Sequence, residues 1–261
     1  MYKQTVLTTF FLLGYNIYSN FAIQTKASRA IRIDVSESNS SSFTLSEELC
    51  VKVHSYMRES RAFQNFTLQD TYSWMANLSK ETFPELESSF PYLLSGYDFE
   101  ERPVWVILGK YNLRKIIEEG DGAVENFKKY IYQGGIRVAK SLLKNNRQGQ
   151  EVRKASFLID LSGLEIAQVK HVATVSFVLN LLETYSDIIS ELVGQLVFIN
   201  VNYVSRMALS LVLPVLGDLF ERIRVYGSIN AHWIFKLRRV LPLESIPPWY
   251  GGSDDFKPIE I

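Results

Sequence analysis

The sequence predicts an α/β domain with a largely parallel or mixed sheet. Three observations carry this. Short apolar runs rich in β-branched and aromatic residues recur between Gly, Pro and Ser punctuation. Helical patterns of ten or more residues separate them, long enough for crossover connections. The runs are apolar on consecutive positions, as strands covered on both faces are.

The elements follow in order. Scattered apolar positions over 47 to 80, among them Leu49, Val53, Tyr56 and Met57, predict one or two short helices. Residues 84 to 102 read as loop, with Pro84, Pro91 and Gly96. The run from Pro103 to Gly109 reads as a buried strand. Residues 122 to 146 read as a helix, with Phe127, Ile131, Ile136 and Val138 among Lys and Arg. A second strand covers 155 to 161, stopped by Ser162-Gly163. A long helix is expected from Leu164 to Ile188, on Ile166, Val169, Val172, Val175, Leu179 and Leu182. Strands follow at 195 to 201 and 222 to 227, around a very apolar segment from Val204 to Leu216. A last helix runs from Asn230 to Val240.

Composition narrows the function. The 261 residues carry 28 Lys plus Arg against 28 Asp plus Glu. Zero net charge argues against global attraction to nucleic acid. The single cysteine, Cys50, excludes an intramolecular disulfide and a cysteine-rich metal site, and it reads as a small buried hydrophobe. The chain shows no G-x-S-x-G elbow, no phosphate loop and no dinucleotide fingerprint. His54, His171 and His232 are not spaced as metal ligands. Asp98, Glu100 and Glu101 fall in one turn and read as solvated. Asp160 ends a strand, where a carboxylate serves either as a general base or as a cap on the turn beyond. No cofactor, metal or catalytic residue is expected, and the protein reads as a non-enzyme.

The start reads as a signal peptide over 1–27, with Lys3 ahead of an apolar run too short to span a bilayer. A polar Ser-rich linker is expected over 28–46, densest from 34 to 46, then a short helical region over 47–90. The main domain is expected over 91–254, with a tail over 255–261. Sequons at Asn39, Asn65 and Asn77 support a secreted or luminal glycoprotein, the alternative location being cytoplasmic.

Val204 to Leu216 is apolar nearly all round. Val204, Met207, Ala208, Leu211, Val212 and Val215 share one face; Leu209, Leu213 and Leu216 fall opposite. Such a helix is either buried core or a lid between two apolar environments. Pro214 would bend or end it.

Five short motifs then fall in a recognisable order. They are Gly96-Tyr97-Asp98-Phe99-Glu100-Glu101-Arg102-Pro103-Val104; Phe157 to Leu164; Gly194 to Asn200; Arg222 to Gly227; and Leu241-Pro242 with Ile246 to Gly252. Together they resemble the CRAL-TRIO lipid-binding family, in the manner of its phosphatidylinositol and α-tocopherol transfer members. The resemblance implies a mixed β-sheet floor and covering helices enclosing an apolar cavity. It implies a gate helix after Asn200, and one lipid or small hydrophobic molecule carried between membranes without covalent chemistry. The alternative it leaves is a membrane- or partner-docking module without exchangeable cargo.

Implied ligand contacts are Glu191 and Arg222 at a headgroup, with Phe157, Ile159, Val197, Ile199, Val204, Met207, Ala208, Leu211 and Val212 along the cavity. The cargo class would be phospholipid, tocopherol or retinoid. Leu209, Leu213, Leu216, Lys236, Arg238 and Arg239 would meet a membrane transiently, each cation worth about 1 kcal/mol near an anionic surface. Three departures stand out: Glu101 replaces a motif glycine, Ile189-Ser190-Glu191 replaces Tyr-Pro-Glu, and Val201-Asn202 removes a proline before the gate.

Overall fold

A computed structural model of the chain describes residues 45–109, 111–146 and 151–261. The expected signal peptide, all but the end of the expected linker and Asn39 lie outside the described residues.

Local chemistry sets the first helices. The Ser46 side chain accepts from the Leu49 amide and caps α1 (Glu47–Met57), with Glu47 and Glu48 in the first turn. Thr67 and Asp70 form a reciprocal capping box on α2 (Leu68–Leu78), so the hydroxyl of the Asn65 sequon caps a helix. Next come α3 (Pro84–Ser89), β1 (Tyr92–Tyr97), β2 (Pro103–Ile107), α4 (Leu113–Glu118) and α5 (Asp121–Lys144). Then follow β3 (Ala155–Asp160), α6 (Ile166–Lys170), α7 (Val172–Thr184), α8 (Ser186–Leu192), β4 (Val193–Val201) and α9 (Tyr203–Leu216). A 3-10 turn (Gly217–Arg222) leads into β5 (Ile223–Gly227), and α10 (Asn230–Leu237) is the last α-helix.

The sheet order is β1-β2-β3-β4-β5; β1 runs antiparallel to β2 and the other pairs are parallel. Because strand side chains alternate, the register sorts them onto two faces. Trp105, Phe157 and Leu196 stand abreast, as do Ile107, Ile159 and Phe198. This first face lies against α5 through Val138 and Leu142, and against α9 through Leu209 and Leu216. Val106, Leu158 and Val197 occupy the second face. They pack with Trp233 and Leu237 of α10 and with Leu241, Ile246 and Tyr250 beyond it. The first helices pack on α5, where Leu49, Cys50, Val53, Met57, Met75 and Leu78 bury against Ile136 and Ala139. Burial pushes the Cys50 thiol above its ordinary pKa, as an inert core cysteine requires.

The C-terminal segment covers the β1 edge. The Ile259 amide donates to the Leu94 carbonyl (2.8 Å), and the Ser245 hydroxyl accepts from the Tyr97 amide and donates to the Tyr97 carbonyl. Two motif glycines make this closure sterically possible. A Cβ on Gly96, at φ +152°, would lie 2.2 Å from Ser245 Oγ. One on Gly252 would lie 1.6 Å from the Ile246 carbonyl oxygen.

Two expectations are corrected. The stretch expected as loop contains α3 and β1. Ser95 interrupts the apolar pattern of β1, yet it is buried, donating to the Val104 and Ser245 carbonyls. The single helix expected from Leu164 to Ile188 is three helices, broken at His171 and Tyr185. Gln168 is pulled sideways: its side-chain amide bonds the Tyr111 carbonyl and accepts from the Leu113 amide. Tyr185 is drawn onto the α1–α2 layer, stacking on Phe63 and sharing a 2.5 Å hydroxyl contact with Tyr132. The chain bends by 65° there.

Candidate ligand site

The motif carboxylates are structural. Asp98, expected to be solvated, is instead buried: Oδ1 accepts from the Glu100 and Arg102 amides, and Oδ2 from Arg102 Nε (2.7 Å) and Ser156 Oγ. It closes a turn in which Glu101 sits at φ +61°, the left-handed conformation that a glycine adopts freely. Asp160, the one strand-end carboxylate with a candidate catalytic role, is committed in the same way. Oδ1 accepts from the Ser162 amide and Asn200 Nδ2, and Oδ2 from the Tyr250 hydroxyl (2.7 Å). Burial first, and the Asp160 carboxylate second, push the Tyr111 and Tyr250 hydroxyls far above the usual tyrosine pKa, so both stay protonated donors. Asn200, at φ +56°, suits the left-handed turn that leads into α9. The groove of about 480 Å³ at the β1 edge, bordered by Asp98, Glu101, Asn145, Pro242, Glu244, Lys257 and Ile259, is an open surface feature of mixed polarity beside these committed groups.

The space above the first face is different. β3 is the middle strand of the sheet, and Leu158 on its second face is fully buried. Phe157 and Ile159 on the first face are only half-buried, although helices lie over them. The helix layer shows the same incomplete burial. α7 is strongly apolar, yet Thr174 is its one buried residue, and α8 has none. Phe177, Leu181 and Leu182 of α7 and Ile188 of α8 are half-buried. An apolar helix whose apolar side chains remain accessible faces either empty space or an apolar medium.

The remaining expected contacts fall as follows. Val197 and Ile199 lie on the second face, buried under α10; alternation along β4 instead places Leu196 and Phe198 on the first face. This corrects their assignment to the cavity wall. The faces of α9 are also corrected. Leu209 and Leu216, expected to meet a membrane, are 6% and 9% exposed and pack onto the sheet, with Leu213 beside them. Val212 joins that inward stripe. Val204, Ala208 and Leu211 flank it, half-buried, while Met207 points outward at 36% exposure. The phase is set by Ser205, which is fully buried and donates to the Leu161 carbonyl (3.1 Å). Asn202 caps the helix by accepting from the Ser205 amide. The polar residues of α9 therefore divide, with Ser205 on the inner face and Arg206 and Ser210 exposed on the outer one.

Arg222 and Glu191 are brought together at the β4 entrance. Arg222 Nη1 donates to the Ser190 and Val193 carbonyls, both at 2.9 Å, on either side of the exposed Glu191. Nη1 thus ties the end of α8 to β4. Lys236 and Arg239 are exposed on α10 and beyond it, whereas Arg238 donates through Nε and Nη2 to the Gly251 carbonyl. Asn65 and Asn77 are exposed. No single helix among the described residues is long and apolar enough to cross a membrane.

The family model described as the CRAL/TRIO domain matches residues 87–252. Among solved structures, the chain is similar to one titled "Crystal structure of Sfh5", at 18% identity and a TM-score of 0.46, covering 80% of this chain and 73% of that chain. No curated protein matches it. The family match takes in all five strands and both ends of the motif series, from Gly96 to Gly252. The protein is therefore a member of the CRAL/TRIO domain family, whose members generally bind lipophilic ligands and are not typically enzymes.

Proposed function

We propose that the protein holds one lipid or other small hydrophobic molecule between the first face of the sheet and the layer of α5, α7, α8 and α9, and carries it between membranes without covalent chemistry. One observation carries the reading: Phe157 and Ile159, at the middle of the sheet, stay half-buried beneath apolar helices whose own apolar side chains are half-buried too. Burial of an alkyl chain there supplies affinity at about 25 cal/mol per Å² of apolar surface, so several hundred Å² amounts to many kcal/mol. Polar anchoring is sparse, because Ser205, Asp160 and Nη1 of Arg222 already have protein partners.

The reading includes passage through the secretory lumen. Exposure of Asn65 and Asn77 supports it, since both sequons are open to glycosylation. Native mass spectrometry of the chain secreted from eukaryotic cells, followed by solvent extraction, tests all of this. A stoichiometric lipid and added glycan mass are expected. Protein that carries nothing, and takes up nothing from mixed vesicles, would overturn the carrier reading in favour of a docking module.

A further inference from the structure

The last strand and last helix form a face that cargo binding does not use. Between Glu221 and Glu244 the chain has no acidic residue, yet it carries Arg222, Arg224, Lys236, Arg238 and Arg239. Arg222 through Nη1, and Arg238 through Nε and Nη2, donate to backbone carbonyls. Arg224, Lys236 and Arg239 are exposed, and no carboxylate among the described residues pairs with them.

Their placement is set by register and helical phase. Arg224 pairs with Val197, so it lies on the second face of the sheet, the side that α10 covers. On α10 the buried residues are Trp233 and Leu237. His232, Phe235, Lys236 and, just past the helix end, Arg239 follow a spacing of three, four and seven and fall on the opposite, outer side. Phe235 is 68% exposed there, and Ile229, immediately before the helix, is 57% exposed. A basic helix face carrying single projecting apolar groups suits a helix lying in the plane of a lipid interface, where cations meet headgroups and the apolar groups enter between them. An acidic peptide bound through charge alone would satisfy the cations but leave Ile229 and Phe235 in water.

We propose that α10 and the adjoining edge strand β5 dock on an anionic lipid surface through Arg224, Lys236, Arg239, Phe235 and Ile229. This surface is separate from the cargo space on the other face of the sheet, and its action does not depend on cargo being bound. Binding should weaken as salt rises, because exposed charges are screened within about 8 Å at physiological ionic strength.

The experiment is co-sedimentation of the full chain with phosphatidylcholine vesicles, with and without phosphatidylserine, at low and high salt. The wild type is expected to bind the phosphatidylserine vesicles and release at high salt. Reversing two charges in Lys236→Glu/Arg239→Glu should weaken that binding by about tenfold or more. Phe235→Ser should weaken it at every salt concentration, since its contribution is apolar. All three positions are exposed, so melting temperatures should stay unchanged. Cargo load, read from the same proteins by native mass spectrometry, should also stay unchanged, which separates this proposal from the carrier reading. Equal binding of the variants, or equal binding to phosphatidylcholine alone, would overturn the proposal. So would capture of an acidic peptide by a wild type that ignores both vesicle types.

Discussion

Ile159 and Leu158 are neighbours on the middle strand, and a tryptophan at each should have opposite consequences. Leu158 is fully buried on the second face against Val106, Val197 and Trp233. That interior has no room, so Leu158→Trp must shift its neighbours and costs about 1–3 kcal/mol. For a domain of this size each kcal/mol moves the melting temperature by about 2–4 °C, giving a fall of roughly 2–12 °C. Ile159 is half-buried on the first face, beneath the helix layer. If the space above it is open, Ile159→Trp grows into that space and the melting temperature changes by less than about 2 °C. The same ring then occupies volume that cargo would fill, so the cargo-bearing fraction in native mass spectra should fall sharply. Thermal melts and native spectra on both variants suffice. An Ile159→Trp protein as destabilised as Leu158→Trp, with its cargo fraction intact, would show a packed interface above β3 and refute the reasoning.

Two further outcomes follow from the polar network. Tyr250→Phe leaves Asp160 Oδ2 without its 2.7 Å donor in a buried site, which should cost about 1–3 kcal/mol in urea unfolding while leaving cargo load unchanged. Reduced loading at unchanged stability would instead give Asp160 a functional role. The second outcome concerns acid. Lys52 is buried in α1, and its ammonium holds the Glu151 carboxyl below the ordinary value of 4.5. A depressed folded-state pKa contributes stability above 4.5 and loses it as pH falls through the folded value. Lys52→Met should therefore flatten the acid limb of the stability–pH curve below 4.5, and an unchanged limb would deny the coupling.

Most of the fold was legible because its strands are apolar on both faces and bounded by Pro, Gly or Ser, and because α5 keeps a helical period over 24 residues. What escaped was decided by contacts far along the chain. β1 exists as a strand because Ser95 and Gly96 fit against Ser245, some 150 residues later, and neither residue advertises a strand locally. The breaks at His171 and Tyr185 lie in sequence with good helical period. They arise because Gln168 and Tyr185 have partners at Tyr111 and Phe63, and tertiary contacts override periodicity there. At the candidate site, the motif order points to β3, β4 and α9, but it does not say which face of the sheet each β4 residue takes; period-two alternation does. That alternation puts Val197 and Ile199 in the core with Trp233 and Leu237, opposite Leu196 and Phe198.

The orientation of α9 is the sharpest case, because apolar side chains stand on both sides of the helix and its polar residues divide between them, Ser205 buried and Arg206 and Ser210 exposed. Polarity then misleads: Ser205 looks like a solvent residue and is the most deeply held one on the helix, since the Leu161 carbonyl needs its hydroxyl. Once Ser205 faces the sheet, Leu209, Val212 and Leu216 must follow at successive turns, and Met207 and Tyr203 must face out. Two substitutions separate this from the opposite orientation. Leu209→Asp would bury a charge with no partner and should cost about 3 kcal/mol or more, enough to cut the folded yield. Met207→Asp should alter stability by no more than about 0.5 kcal/mol, because the new carboxylate stays in water. If chemical denaturation ranks them the other way round, the inner and outer faces of α9 are exchanged, and Leu209, Leu213 and Leu216 return to the membrane side.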